Sequence, residues 1–363
     1  MGSSIVKNPK FLKRLMQEPE KVIDQLDLIY VNDDKLLIKR QKEKEGFQYF
    51  LNDQKLSKPE DLERIKSLVI PPAWTNVRIA ALNNGHLQAV GRDLKNRKQY
   101  RYHPLWSKIR NQTKFFKMTS FGKKIPLIRE RIDLDLKKHG WPKDKVLALI
   151  IRLMEETHIR IGNEQYAKRN KTYGLSTLRT RHVTLMKDKM KFEFVGKKGK
   201  KHSISLQNKK LIKLVNKCEE IPGWELFQYY DDQGIKHSVE SGMVNDYIHE
   251  ISGDLFTAKD FRTWSASIIF FENLMELGIT KDEKIAHKNV LASFDAAADA
   301  LGNTRNVCRK YYVHPYLVSS YMDGSIQPYF EKQMQLKDTQ PNFTTTETVV
   351  LDMLGSYTPE FLK

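Results

Sequence analysis

Four ionisable residues, each in a distinctive local context, bound the chemistry open to this chain. They are Arg160 in HIRIGNE, Lys197 in FVGKKGKKH, Arg262 in TAKDFRTW and Tyr312 in GNTRNVCRKYYVHP. Two arginines, a lysine and a tyrosine suit attack of a phenolic oxygen on a phosphodiester. Guanidinium groups bind the non-bridging oxygens, and an ammonium protonates the departing oxygen. A free phenol ionises near pH 10, so a nucleophilic tyrosine needs positive neighbours. Tyr311 and Tyr312 follow Arg309 and Lys310 directly. Adjacent helical residues point about 100° apart, so only one of the two tyrosines can face a given site. By spacing alone the pair reads first as core packing.

The elements that must carry these residues follow from local pattern. Thr257 and Asp260 have capping-box spacing, which places Arg262 near the first turn of a helix, where free N–H groups also favour phosphate. The alternative is a surface arginine paired with Asp260. Arg160 falls on a helix expected over residues 143–169, between Ile159 and Ile161. An arginine inside so apolar a stretch needs an anion, either Glu155, Glu156 or Glu164, or a bound phosphate. Lys197 sits at a hairpin turn beside Lys198, Lys200 and Lys201, free to reach a leaving oxygen or simply solvated. The run GRDLKNRKQYRYHPLW interleaves Arg92, Lys95, Arg97, Lys98 and Arg101 with Tyr100 and Tyr102, and Gln99 lies among them. Such a strand pairs cations with phosphates while polar and aromatic side chains reach a groove, although a solvated basic face fits equally well. YGLSTLRTRHV adds Arg179 and Arg181. A Walker-type phosphate loop, HExxH and an acidic triplet are all absent, so phosphoryl chemistry here is expected to need no metal and no cofactor.

Periodicity divides the chain. Residues 1–26 read as a basic arm, and residues 27–105 as a β-rich domain of short alternating runs with a helical insert over 59–68. The Asn83-Asn84-Gly85 sequence is a hairpin signal. From 106 to 334 helical spacing dominates, with helices expected over 121–139, 143–169, 176–181, 208–218, 238–251, 258–277 and 281–301, and a hairpin over 190–206. Residues 335–363 read as a polar tail in which 349–354 docks as one last helix.

Composition narrows the class. With 363 residues the chain is long enough for two domains. Its net charge of +18 is spread along the whole length, which points to a folded basic surface and a polyanionic partner. Cys218 and Cys308 are the only cysteines, so a disulfide framework is excluded and a reducing cytoplasm fits. The first ten residues hold no apolar signal region, Val6 stands where a myristoylation motif wants Ser or Thr, and the apolar runs are too short for a bilayer.

These motifs, taken in order, resemble the type IB DNA topoisomerases, in particular the small poxvirus-like branch that also occurs in bacteria. The resemblance runs from about residue 28 to about residue 324. It rests on IPPAWTNV, HLQAVGRDLKNRKQYRYHPLW, IRIGNEQYA, YGLSTLRTRHV, FVGKKGKKH, FTAKDFRTW and LGNTRNVCRKYYVHP. It implies Tyr312 as nucleophile, Arg160 and Arg262 as phosphate ligands, Lys197 as general acid, and Gln99, Tyr100 and Tyr102 as DNA contacts. Asn303, nine residues before the tyrosine, stands where poxvirus members often have histidine. It can donate a hydrogen bond but carries no charge. Arg92, Lys98, Arg101, Arg179, Arg181 and Lys259 complete the expected DNA-binding set.

The implied fold is α+β: a small β-rich N-terminal domain and a larger, mainly helical catalytic domain forming a clamp on duplex DNA. The implied reaction relaxes positive and negative supercoils through a 3′-phosphotyrosyl intermediate, without ATP or metal. A monomer, cytoplasmic and associated with the nucleoid, is expected. Two rivals remain at this point. Tyrosine recombinases share the catalytic set, but they usually place histidine three residues before the second arginine, where Lys259 stands here. A non-catalytic DNA-binding protein on the same scaffold would fit the charge equally well.

Overall fold

Short alternating runs in the first part of the chain pair into a six-stranded sheet in the computed structural model, which describes residues 9–44, 46–253 and 256–359. Its strands are β1 (Ile38–Glu43), β2 (Gly46–Leu51), β3 (Gln54–Lys55), β4 (Thr75–Ile79), β5 (Leu87–Arg92) and β6 (Lys98–Tyr102), in the order β3-β2-β1-β4-β5-β6. Every pairing is antiparallel. Asn52 and Asp53 both take left-handed backbone, the conformation a two-residue hairpin loop requires, and so join β2 to β3. One face of the sheet buries Ile38, Val77, Ile79 and Ala89 against Ile65 of the Pro59–Ser67 helix. Part of the other face is covered by Val31 and Leu36, which pack on Leu87 and Val90. The rest of that face carries Arg78, Arg92, Lys98 and Tyr100.

This unit extends to Lys114 and the second spans Phe115–Tyr357. The boundary falls inside one continuous helix, Pro104–Asp135, rather than near residue 105. Residues 9–26, expected as a basic arm, form a helix and short turns that bury Phe11, Leu15, Val22 and Ile23. Four apolar side chains set among the lysines and arginines suffice to dock the stretch. Residues 1–8 of the expected arm lie outside the described residues.

In the second unit the middle of the Lys143–Thr157 helix is apolar on every side. Val146 through Ile151 are each at most 1 % exposed, which marks it as the central helix. Helices Lys209–Glu219, Ser241–Ser252 and Ala258–Leu277 pack on it. Strands β7 (Val183–Leu185), β8 (Met190–Val195) and β9 (Lys201–Leu206) form a small antiparallel sheet in which β8 and β9 are the expected hairpin.

Two expected helices are corrected. The 143–169 stretch breaks at Thr157: His158 takes left-handed backbone, Gly162 has φ +109°, and Asn163 accepts from Tyr166 N at 3.2 Å to start a separate helix, Glu164–Asn170. Arg160 therefore sits on a loop. The 176–181 stretch is two short 3₁₀ turns, Leu175–Thr177 and Thr180–His182. At the other end, Thr345–Gly355 is not a tail element. It buries Val349, Val350, Met353 and Leu354 in the core of the second unit. Among the described residues no helix is long and apolar enough to cross a membrane.

Candidate active site

Arg262 organises this region. It is the fifth residue of the Ala258–Leu277 helix and only 4 % exposed. The start of that helix is fixed by Asp260, which accepts from Thr257 N at 2.8 Å and from Thr257 Oγ1 at 3.0 Å. Asp260 also pairs with Lys117 at 2.8 Å, so the alternative Arg262–Asp260 surface pair does not form. The Arg262 guanidinium instead donates to the carbonyl of His158, and at 2.8 Å to the carbonyl of Leu301. These two residues are the C-caps of the Lys143–Thr157 and Glu283–Ala300 helices. The arginine thus satisfies two carbonyls that helix ends leave unpaired, and its charge sits where both macrodipoles are negative. Hydrogen bonds from a charged donor contribute about 1.5–3 kcal/mol each. The buried Nε has no partner among the described residues. Burial, reinforced by Arg160, pushes the guanidinium down to about 10.

The loops that leave those two helix ends carry the next two groups. Arg160, two residues beyond His158, donates to Oδ1 of Asn303, two residues beyond Leu301. Asn303 turns its amide nitrogen to Sγ of Cys308 at 3.8 Å. Arg160 is held from behind, because its carbonyl accepts from Leu175 N at 2.8 Å and that of Ile161 accepts from Ser176 N at 2.6 Å. Gly162 and Gly174 pack backbone to backbone there: a Cβ on Gly174 would lie 2.4 Å from the Arg160 carbonyl oxygen. Part of YGLSTLRTRHV, read as a basic DNA-binding segment, thus braces the arginine loop.

Tyr312 caps the short Arg305–Tyr311 helix and is half-buried, whereas Tyr311 is 44 % exposed. Its ring lies 5.4 Å from the Arg262 guanidinium. Burial alone would raise the phenol. The charges of Arg262 and Arg160, a hydrogen bond to Arg262 and the charge of the exposed Lys259 outweigh it, so the hydroxyl lies below the ordinary tyrosine value. Ser267, on the Arg262 helix, fixes the chain just beyond. It accepts from His314 N at 3.1 Å and donates to the Thr263 carbonyl at 3.0 Å, with the Tyr312 carbonyl 3.5 Å away. Nothing in the sequence singled out Ser267; its role appears only when the two segments meet.

Lys197 follows Gly196 in the β8–β9 turn. It is exposed, makes no hydrogen bond or ion pair among the described residues, and lines a pocket with Arg160, His158, His202 and Gly302. Four of the five expected catalytic residues thus form two contacting pairs, Arg160 with Asn303 and Arg262 with Tyr312, joined by the charge of Arg160 acting on both members of the second pair, and Lys197 shares a pocket with Arg160. Arg179 lies between the rings of Tyr173, at 5.7 Å, and Trp224, at 5.8 Å. Arg181 donates to Tyr173 Oη at 3.3 Å. Among the described residues no group of three or more His, Cys, Asp or Glu could hold a metal ion.

In the first unit the expected DNA-binding strand splits by face. Lys98, Tyr100 and Tyr102 alternate on one side of β6, where the tyrosine rings stack at 6.0 Å and Lys98 pairs with Asp33. Register adds Arg92 opposite Lys98, and Arg78 through Val90 opposite Tyr100. Arg78 was missed in the sequence because its cross-strand neighbour is what reveals it. Gln99 and Arg101 point to the other side, Gln99 donating to Asp93 at 3.0 Å and Arg101 to the Val69 carbonyl at 2.7 Å. That is the period-2 alternation of any strand.

A fold of this kind with a tyrosine held against a buried arginine defines a class, and comparison with known proteins agrees. The catalytic core of eukaryotic DNA topoisomerase I matches residues 98–340, and the N-terminal domain of bacterial DNA topoisomerase IB matches residues 46–93. DNA topoisomerase 1B of Acanthamoeba polyphaga mimivirus is 34 % identical over 77 % of this chain and 84 % of its own length. DNA topoisomerase 1B of Vaccinia virus (strain Copenhagen) is 23 % identical over 64 % of this chain and 72 % of its own. The chain belongs to the type IB DNA topoisomerases, isomerases that act on DNA.

Proposed function

We propose that the protein relaxes positive and negative supercoils by cutting and resealing one strand of duplex DNA. Tyr312 attacks the scissile phosphate and becomes joined to its 3′ end. Lys197 protonates the departing 5′ oxygen. Arg160 and Arg262 stabilise the charge on the pentacoordinate phosphorus, with Asn303 holding Arg160 in place. The 5′ hydroxyl then reverses the attack. The bond energy is kept in the phosphotyrosine, so the reading requires neither ATP nor a metal. The observation that carries it is the seating of Tyr312 against Arg262 with the charge of Arg160 nearby, which draws its hydroxyl below the ordinary value.

In this reading both units enclose the duplex. Arg78, Arg92, Lys98, Tyr100 and Tyr102 touch DNA from the β-rich unit, and Arg179, Arg181 and Lys259 touch phosphates from the helical unit. The enzyme acts as a monomer in the cytoplasm, on nucleoid DNA; light scattering giving a free mass above 42.5 kDa would set the monomer aside.

The test is relaxation of negatively and positively supercoiled plasmid in EDTA without ATP. A denaturant quench should leave protein on the 3′ end of the nick. DNA binding without relaxation of either sign would overturn the proposal. The general acid has its own test. Lys197→Ala should slow cleavage of ordinary DNA by about 10²–10⁴-fold. It should recover nearly full rate on a bridging 5′-phosphorothiolate, whose sulfur leaves without a proton. Absence of that recovery moves the acid elsewhere.

A further inference from the structure

His202 belongs to the quoted FVGKKGKKH motif, yet the chemistry above leaves it unused. It stands on β9 directly opposite Phe194 of β8, and the two rings stack at 5.0 Å with an interplanar angle of 17°. Two glycines from distant segments make room for the imidazole. A Cβ on Gly196 would fall 2.6 Å from both Cδ2 and Nε2. A Cβ on Gly302, whose φ is +60°, would fall 2.7 Å from Cε1. No real Cβ approaches so closely, so both positions are left bare by the ring that occupies them. Gly196 is followed by Lys197, and Gly302 is followed by Asn303, the residue that takes the Arg160 hydrogen bond.

We infer that His202 is a positioning residue: its ring keys the Lys197 turn to the Gly302–Asn303 segment, so that the lysine and Arg160 address the same phosphate. The inference rests on the reading of Lys197 as general acid. Lys197 has no partner of its own among the described residues, and a four-carbon side chain samples a wide volume. The turn is closed internally, Gly196 N donating to the Lys200 carbonyl at 2.7 Å and Gly199 N to the Gly196 carbonyl at 3.0 Å. It is therefore a stiff unit whose placement depends on what it rests on. The imidazole makes no hydrogen bond among the described residues, so packing places it. Burial, with Arg160, Lys200 and Arg262 nearby, holds it below the ordinary histidine value, neutral at pH 7. The ring therefore adds no competing charge beside Arg160.

The test compares single-turnover cleavage of two duplexes by the full chain, one ordinary and one with a bridging 5′-phosphorothiolate at the mapped cleavage site. His202→Ala should slow the ordinary duplex by about 10²-fold, the usual loss for a catalytic group displaced by about 1 Å. It should cleave the sulfur duplex within about threefold of native rate. His202→Phe keeps a flat ring between the glycines and should stay within about threefold of native on both. Lys197→Ala and Arg160→Ala run alongside: the first should be rescued by sulfur and the second should not. If Lys197→Ala is rescued and His202→Ala is equally slow on both duplexes, the inference falls and the ring only supports the fold. If His202→Phe loses as much as His202→Ala, packing is not the cause and the inference also falls. If Lys197→Ala itself is not rescued, the general-acid reading fails first and takes the inference with it.

Discussion

Tyr312→Phe is expected to abolish plasmid relaxation and the covalent DNA adduct, a loss of at least about 10⁴-fold, as removal of a nucleophile typically gives. Stability and DNA binding should barely change, because the ring that packs over Arg262 is retained. Tyr311→Phe should be close to native, since Tyr311 is exposed and the site faces its neighbour. The electrostatic part can be read separately by ultraviolet titration of the free protein. The difference between native and Tyr312→Phe should show one phenol ionising below the ordinary value of 10.0. The sign follows from the neighbours: Arg262 and Arg160 favour the phenolate more than burial disfavours it, so the curve moves to lower pH. Covalent adduct from Tyr312→Phe would assign the nucleophile to another residue.

The second large effect is on folding. Glu347 opens the last helix through a reciprocal capping box, accepting from Thr344 N at 3.0 Å and donating its own N–H to Thr344 Oγ1 at 3.1 Å. The same carboxylate takes Arg129 at 2.7 and 2.8 Å and Trp264 Nε1 at 3.0 Å. Trp264 lies two residues beyond Arg262 on the same helix. Breaking a buried pair by removing one partner costs about 3–5 kcal/mol, so Glu347→Ala should lower Tm by roughly 10 °C for a unit of this size. Glu347→Gln, which keeps an acceptor for Trp264 and for the cap, should lose less. Burial raises this carboxyl, but Arg129 more than compensates and its folded value is depressed. Its contribution is thus fully present above the ordinary glutamate range and is lost as pH falls through the depressed value. Native and Glu347→Gln stabilities should converge in acid. A difference that persists there would mean that the ion pair is not what the helix end relies on.

How much of this was legible beforehand depends on the range of the forces involved. The strands of the first unit and the Ala258–Leu277 helix are written in local alternation and capping signals, and there the expected and observed elements nearly coincide. The break at His158 is different. Apolar spacing carries on through Ile159 and Ile161, and what opposes a continued helix is mostly distant: Arg262 drawing on the His158 carbonyl, and Gly174 against Gly162. One local clue existed, since Asn163 is a good N-cap. The split of Gln99 from Tyr100 was available from alternation alone. That Thr345–Gly355 belongs to a core was half-visible in its apolar residues, but the polar anchor Arg129 lies far away in sequence. The five expected catalytic residues were nominated by type, context and the family resemblance. Their supports, Ser267, His158 and His202, were not, because a support is defined by what it touches.

The bare backbones of Gly162 and Gly174 extend that point beyond side chains. Neither residue has a group that could touch a phosphate, and neither sits in a catalytic motif by virtue of its chemistry. Yet the Arg160 carbonyl and the Gly174 Cα are so close that a single added methyl has nowhere to go. In a saturation-mutagenesis map of activity these two positions should stand out as sharply as Arg160 itself, tolerating nothing larger than hydrogen. The placement of a reactive group is here encoded partly in atoms that are missing.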